Sequence, residues 1–408
     1  MDRASQVRRN TLLLAVAQCC LLVAVQGILT VGNLAIVDLT GRDSAAGLLF
    51  ALFLLSAAAG ALLFGRFMDR AGRRPGLMAG YGLVAVGGLA GAASVAAGSA
   101  LGVLASAVPY GAGTGAAQLG RGAVADMHPP EQRGRAVGLL LAAGTVGAVG
   151  GPFLVAAVRG LADRAGWNPL VAPWFVIAGF ALAGLAFASS LRPDPRDLAV
   201  DSAPLAGTRT RPPRELFALP PVRVALIVTA VSQMSMVAIM GVTPVVLDHH
   251  GGGAVVVSTV ISGHLAGMYA FSPLFGALID RWGRRPGLVA GALLSASGAI
   301  LSAVLPAGAI LGVALFLVGL GWSAAYVSVT AVISDLTEPR ERAGALGFTD
   351  VLSSTASTVA ALAGGIALEL VGFAPIALTM TVLLAPVALL AVSLREPAPG
   401  RWDVARAT

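Results

Sequence analysis

The sequence predicts an all-α membrane protein of twelve spanning helices, set out as two six-helix bundles related by a pseudo-two-fold axis along the membrane normal. Three observations carry that expectation. Of the 408 residues, 57% are hydrophobic and only 12% are charged. An average soluble domain carries about 25% charged residues, so lipid rather than water must face most of this surface. Runs of the ~20 apolar residues that a bilayer-crossing helix needs recur along the chain. One charged loop pattern appears twice, at the same place in each half.

The apolar runs lie near 12–38, 44–67, 76–97, 101–127, 134–158 and 171–191, and again near 222–248, 255–279, 286–305, 308–334, 343–371 and 373–394. The first exceeds the ~7–15 residues of a signal-peptide core and lacks a convincing cleavage site, so it is expected to stay as a signal anchor. The 52 glycines suit helices whose backbones approach closely in lipid. Between the two sets, 192–221 is rich in Pro, Arg and Asp and has no apolar period, which reads as a partly disordered linker. The expected division is therefore 1–191, a linker 192–221, and 222–408 with a short tail.

The basic residues give the orientation. All 27 are arginine. With the N-terminus inside, only Arg42, Arg159 and Arg164 fall outside and Arg121 falls within the fourth span, while the rest occupy cytoplasmic loops and tails. Both termini are thus expected in the cytoplasm. Abundant Ala and Gly without lysine suit a GC-rich bacterial genome, and hence a bacterial inner membrane. The net charge of +7 forms no patch interleaved with aromatics, so nucleic acid is not an expected partner. Cys19 and Cys20 are adjacent on one helix, badly placed for a disulfide, and no Cys/His cluster suggests a metal or cofactor. Asp248, His249 and His250 are too few and too exposed for a metal site. No phosphate-binding G-x-x-x-x-G-K-[ST] run occurs, which argues against direct use of ATP.

The repeated pattern is Gly65-Arg-Phe-Met-Asp-Arg-Ala-Gly-Arg-Arg-Pro75, which returns as Gly276-Ala-Leu-Ile-Asp-Arg-Trp-Gly-Arg-Arg-Pro286. Asp126, Arg133 and Gly138 likewise return as Asp335, Arg342 and Gly347. Two landmarks in one order imply duplication. An even number of spans per copy makes the copies parallel, with a substrate path expected between them.

The G-x-x-x-D-R-x-G-R-R pattern resembles the signature loop of the major facilitator superfamily, and the resemblance covers nearly the whole chain. It implies a secondary transporter, usually monomeric, that works by alternating access. In such a loop Gly65 and Gly276 allow close helix contact, and Gly72 and Gly283 make the turn. Asp69 and Asp280 can face the positive N-terminus of a helix, which the resemblance makes the eleventh and the fifth span respectively. Arg73 and Arg284 can pair with Asp126 and Asp335, with Arg70 and Arg281 beside them. Such contacts would form a latch that holds the cytoplasmic side shut; the plainer reading is that the arginines only anchor topology. Gly138, Gly147 and Gly151-Pro152 resemble the antiporter motif of drug-efflux branches, with Val155-Ala156 where that motif has a glycine pair. Here the glycines would seat the fifth span on the eighth, and Pro152 would bend it.

Charges at membrane depth need a reason. Arg121 lies ~7 Å inside the fourth span from Asp126, and Asp350 ~12 Å along the eleventh from Arg342, at ~1.5 Å per residue. A pair between them is one expectation, either static or released when Asp350 takes a proton. Asp350 shares a helix face with Ser353, Ser354 and Ser357. His264, mid-span, could titrate or serve as a packed hydrogen-bond donor. Gln26, Asn33, Gln118, Gln233, Trp322 and Tyr326 lie on the first, fourth, seventh and tenth spans, which the resemblance assigns to the cavity wall. Amides with aromatics suit a weakly polar or amphiphilic molecule. The expected activity is proton-coupled export of such molecules; the alternatives are uptake of a sugar or other small metabolite and, in another class, a receptor or scaffold that does not transport. No nucleophile or metal set at membrane depth points to an enzyme.

Overall fold

The computed structural model describes residues 2–41, 44–200, 213–249, 254–305, 308–394 and 396, and every regular element among them is helical. Helix α1 (Arg3–Gly27), a π-helical turn (Ile28–Gly32) and α2 (Asn33–Thr40) follow without a break. Next come α3 (Ser44–Ala71), α4 (Arg73–Ala96), α5 (Ala100–Gln118), α6 (Gly120–Met127), α7 (Pro130–Arg164) and α8 (Ala172–Ser189). After α9 (Pro213–Ala218) follow α10 (Pro220–His249), α11 (Ala254–Tyr269), α12 (Ser272–Trp282) and α13 (Arg284–Val304). The chain closes with α14 (Gly308–Leu336), α15 (Pro339–Val371) and α16 (Phe373–Ser393). Helix α1 begins well before its apolar run because Asp2 caps it, accepting the Ser5 N–H at 3.1 Å.

Among the described residues, ten helices are long and apolar enough to cross a membrane. The two other runs in the sequence are each broken. The run 101–127 is split at Leu119, whose N–H turns back to the Ala116 carbonyl at 3.2 Å, a tighter bond than the α-helical one. The run 255–279 is split at Ala270–Phe271. Pro273 has no N–H for the Tyr269 carbonyl, and the Ser272 hydroxyl meets that carbonyl instead at 2.5 Å. Large apolar side chains such as Leu101, Val146 and Leu389 are 72–78% exposed, as lipid-facing residues are.

Contacts group the chain into two compact units, neither of them one continuous stretch. Unit 1 takes Met1–Met127, Ala143–Thr208 and Pro339–Val351. Its centre is α5, packed on α3 and α4; a Cβ on Gly115 would lie 1.9 Å from the Ala57 carbonyl oxygen, so only glycine fits there. Unit 2 takes His128–Ala142, Arg209–Glu338 and Leu352–Thr408. In it α14 packs on α13, α11 and α10.

The start of the expected linker is not loose. Asn10 donates to the Pro193 carbonyl at 3.0 Å, Arg3 to Leu198 at 2.9 Å, and the Val200 N–H to Asp126 at 3.1 Å. Arg9 ties down the Ser190 carbonyl just before it at 2.9 Å. The carbonyls of Ser190, Arg192, Pro193 and Leu198, which no helix uses, are satisfied by side chains of the N-terminal helix. Residues 201–212, the rest of that expectation, lie outside the described residues. So do His250 and the side chains of Asn33, Asp248 and His249.

Candidate functional site

Each unit holds one buried ion-pair cluster. In unit 1 the hub is Arg73, whose side chain is 0% exposed at the start of α4. Its Nε donates to Asp126 at 2.7 Å, one Nη to Asp69 at 2.8 Å, and the other to the Pro339 carbonyl. Asp126 also accepts from Arg342. Asp69 in turn accepts the N–H groups of Ala343 at 3.1 Å and Gly344 at 2.7 Å, near the N-terminus of α15. A carboxylate is stabilised there by the helix dipole and by the two N–H groups it accepts. Gly65 brings the backbones together, since a Cβ on it would lie 2.5 Å from the Ala343 oxygen.

Unit 2 repeats the plan. Arg284 donates to Asp335 at 2.9 Å, to Asp280 at 3.1 Å and to the Pro130 carbonyl. Arg133 joins Asp335 at 2.8 Å. Asp280 accepts the N–H groups of Gly134 at 2.9 Å and Arg135 at 2.7 Å at the start of α7, where Gly276 allows the approach. Buried charges are tolerated when paired and hydrogen-bonded, and each side-chain nitrogen of Arg73 and Arg284 has an acceptor. Arg70 and Arg281 are exposed and stand outside the clusters.

The structure adds two carboxylates that sequence reasoning passed over. Gly72 and Gly283 take φ of +104° and +100°, which favour glycine, and each turn rests on an acid. Asp194 accepts the N–H groups of Arg73 at 3.1 Å and Arg74 at 2.9 Å; Glu396 accepts those of Arg284 at 2.8 Å and Arg285 at 2.9 Å. The available signal was Leu191-Arg-Pro-Asp194 beside Leu394-Arg-Glu396, with the acid shifted by one place.

Deeper in unit 1, Arg121 and Asp350 are bonded at 2.6 Å, with side-chain exposures of 1% and 16%. Gln118 is half-buried next to the break, its carbonyl 3.5 Å from Arg121. In unit 2, Trp322 stacks on Tyr326 with ring centroids 4.6 Å apart and planes 16° apart, and Tyr269 meets Trp322 edge-on at 5.7 Å. The Trp322 indole N–H donates to Gln233. His264 is fully buried, with Nδ1 2.7 Å from the Leu315 carbonyl. That carbonyl can only accept, so Nδ1 carries the proton; among the described residues Nε2 has no hydrogen-bond partner.

Two expectations change. Gly138 does pack on α12, where a Cβ would lie 2.3 Å from the Ser272 oxygen, but Gly147 and Gly151 face α1 at Cys19, Val23 and Gln26. The motif's glycines are thus divided between two partners. Gln26 also has a structural task. Pro152 lacks the N–H that would bond the Ala148 carbonyl, and the Gln26 amide donates to that carbonyl at 3.2 Å. Gln26→Ala is therefore expected to cost about 1 kcal/mol of stability. Pro152→Ala, which restores the backbone N–H, is expected to recover most of it in a double-mutant cycle read by thermal unfolding.

The fold is thus a helical membrane fold with one buried ion-pair cluster at each copy of the repeated loop. The Major Facilitator Superfamily model matches residues 14–251 and 225–407, and the chain belongs to that family. It is a transporter of small molecules across the membrane, not an enzyme. It is 35% identical over 338 residues to the uncharacterized MFS-type transporter YddS of Bacillus subtilis (strain 168), covering 79% of this chain and 76% of that one. It is 28% identical over 370 residues to the riboflavin transporter RfnT of Brucella anthropi, covering 90% and 91%. In fold it is similar to the human organic anion transporter MFSD10 (TETRAN), with TM-score 0.78 at 17% identity over 94% of this chain and 99% of that one. Among the described residues, no group of three or more His, Cys, Asp or Glu could hold a metal ion.

Proposed function

We propose that the protein imports a small, flat, weakly polar metabolite together with protons. The observation that carries this reading is the aromatic group of Trp322, Tyr326 and Tyr269 with the Gln233 amide: stacked rings with one polar handle suit a ring compound better than a sugar. RfnT, similar over most of its length, is a transporter of riboflavin, whose ring system is heteroaromatic. Import is favoured over export because Gly147 and Gly151, half of the antiporter-like motif, seat α1 instead of the eighth span. The Arg121–Asp350 pair supplies the proton site: a carboxylate that takes a proton releases its arginine.

In this reading the chain crosses the membrane twelve times in two six-helix bundles, 1–191 and 222–408, counting each broken run as one crossing. Both termini lie in the cytoplasm. The Arg73 and Arg284 clusters are latches at the cytoplasmic ends of the helices, closed in one access state and parted in the other. The second reading is proton-coupled export, favoured by Gly138 packing on Ser272.

Uptake of labelled riboflavin and simpler ring compounds by cells that express the protein, with and without an uncoupler, tests the proposal. Import raises internal label and the uncoupler abolishes the rise; export lowers it, and a receptor leaves it unchanged. Trp322→Ala is expected to raise KM roughly two- to tenfold, the worth of one aromatic stack, in the protein that folds. An unchanged KM would count against the aromatic group as the binding surface.

A further inference from the structure

The geometry points to a proton-released bolt that belongs to only one of the two clusters, an inference that rests on Asp350 as the proton carrier. The bolt is α6. It is a separate eight-residue helix, detached from α5 at Leu119, and all its residues are buried. Both its ends are fastened to α15 by ion pairs of opposite sense. Asp126 holds Arg342 at one end, and Arg121 holds Asp350 at the other.

The duplication shows what is special here. The register that carries Asp126 onto Asp335 and Arg133 onto Arg342 carries Arg121 onto Thr330 and Asp350 onto Leu141. Thr330 only bonds its own helix, at the Tyr326 carbonyl 2.8 Å away, and Leu141 is a buried apolar residue. The stretch matching α6 lies inside α14, which runs unbroken from Gly308 to Leu336. Unit 2 therefore has the outer pair but neither the hinge nor the inner pair.

Asp350 is suited to be the trigger. One carboxylate oxygen bonds Arg121; the other, Oδ2, is buried without a hydrogen-bond partner among the described residues. The described ionisable groups on the elements around this part of α15 are Arg66, Asp69 and Arg70 on α3, Arg73 and Arg74 on α4, Arg121 and Asp126 on α6, and Glu341 and Arg342 on α15 itself. Of these, Arg121 is the one bonded to Asp350. A proton added at Oδ2 neutralises the carboxylate and dissolves the inner pair. Helix α6 then keeps its ion pair with α15 only at the Asp126 end and swings at Leu119–Gly120. The Arg284 cluster has no such input and is indifferent to the same proton.

Hydrogen exchange of the full-length protein in lipid nanodiscs, labelled at about pH 6 and about pH 8 with times matched for intrinsic rates, reads each cluster separately. The expected result is ~tenfold faster exchange across 120–127 in acid, with 280–287 and 329–336 unchanged. Asp350→Asn is expected to show the faster exchange at both pH values, and Asp350→Glu to keep the pH response. Equal acid responses in both clusters, or a response that survives in Asp350→Asn, would overturn the inference. Proton-driven uptake by the same variants separates the two claims. If Asp350→Asn still concentrates substrate, the proton reading itself fails; if it does not but both clusters respond alike, only the bolt fails.

Discussion

Asp126→Ala is expected to be the most damaging single substitution in the chain. It removes the one carboxylate that Arg73 and Arg342 share, and their side chains are 0% and 1% exposed. Leaving a buried charge without its partner costs about 3–5 kcal/mol, and here two charges share one acceptor. Asp335→Ala is the matched case for Arg284 and Arg133. Asp69→Ala is expected to be milder, because its side chain is 11% exposed and Arg73 keeps Asp126. Thermal unfolding of purified protein ranks the three. A melting temperature for Asp126→Ala as high as that of Asp69→Ala would contradict the description of Asp126 as the shared anchor.

Asp350→Asn is expected to have the largest effect on activity with a smaller effect on folding. The amide fills the same space, but it carries no charge to hold Arg121 and cannot bind and release a proton at working pH. Accumulation against a gradient is expected to be lost, while exchange of substrate across the membrane at equal concentrations continues. The sign follows from charge: wild-type Asp350 is neutralised on the acid side and ionised on the alkaline side, so only the wild type turns a pH difference into two conformational preferences. Comparing accumulation with equilibrium exchange in proteoliposomes checks this. Loss of both activities would point to a broken transporter, and retention of both would remove Asp350 from coupling.

Much of this was legible before any coordinates. The apolar runs have no alternative to helices in lipid. Asp69 and Arg73, four residues apart across a glycine turn, form a spacing that recurs at Asp280 and Arg284, and repetition marks it as more than a topology signal. Arg121 and Asp350 stood out because unpaired charge is expensive at that depth. Other features depend on distant residues and left little trace. The role of Gln26 follows from the missing N–H of Pro152 on another helix. The break at Leu119 has no proline to announce it, only a tightened turn between glycines. Asp194 and Glu396 were hidden by a one-residue shift between the copies. The partner of Gly147 and Gly151 was misjudged because small residues record that a neighbour comes close without recording which one.

Proton movement in weakly buffered proteoliposomes, followed with a pH-sensitive dye after substrate is added outside, tests proton-coupled import most directly. No gradient is imposed, and the protein's orientation does not change the sign. A symporter carries protons inward with the substrate, so the medium is expected to turn alkaline, and Asp350→Asn is expected to give no change. A medium that turns acid would mean exchange of substrate for protons, and the import proposed here would be wrong.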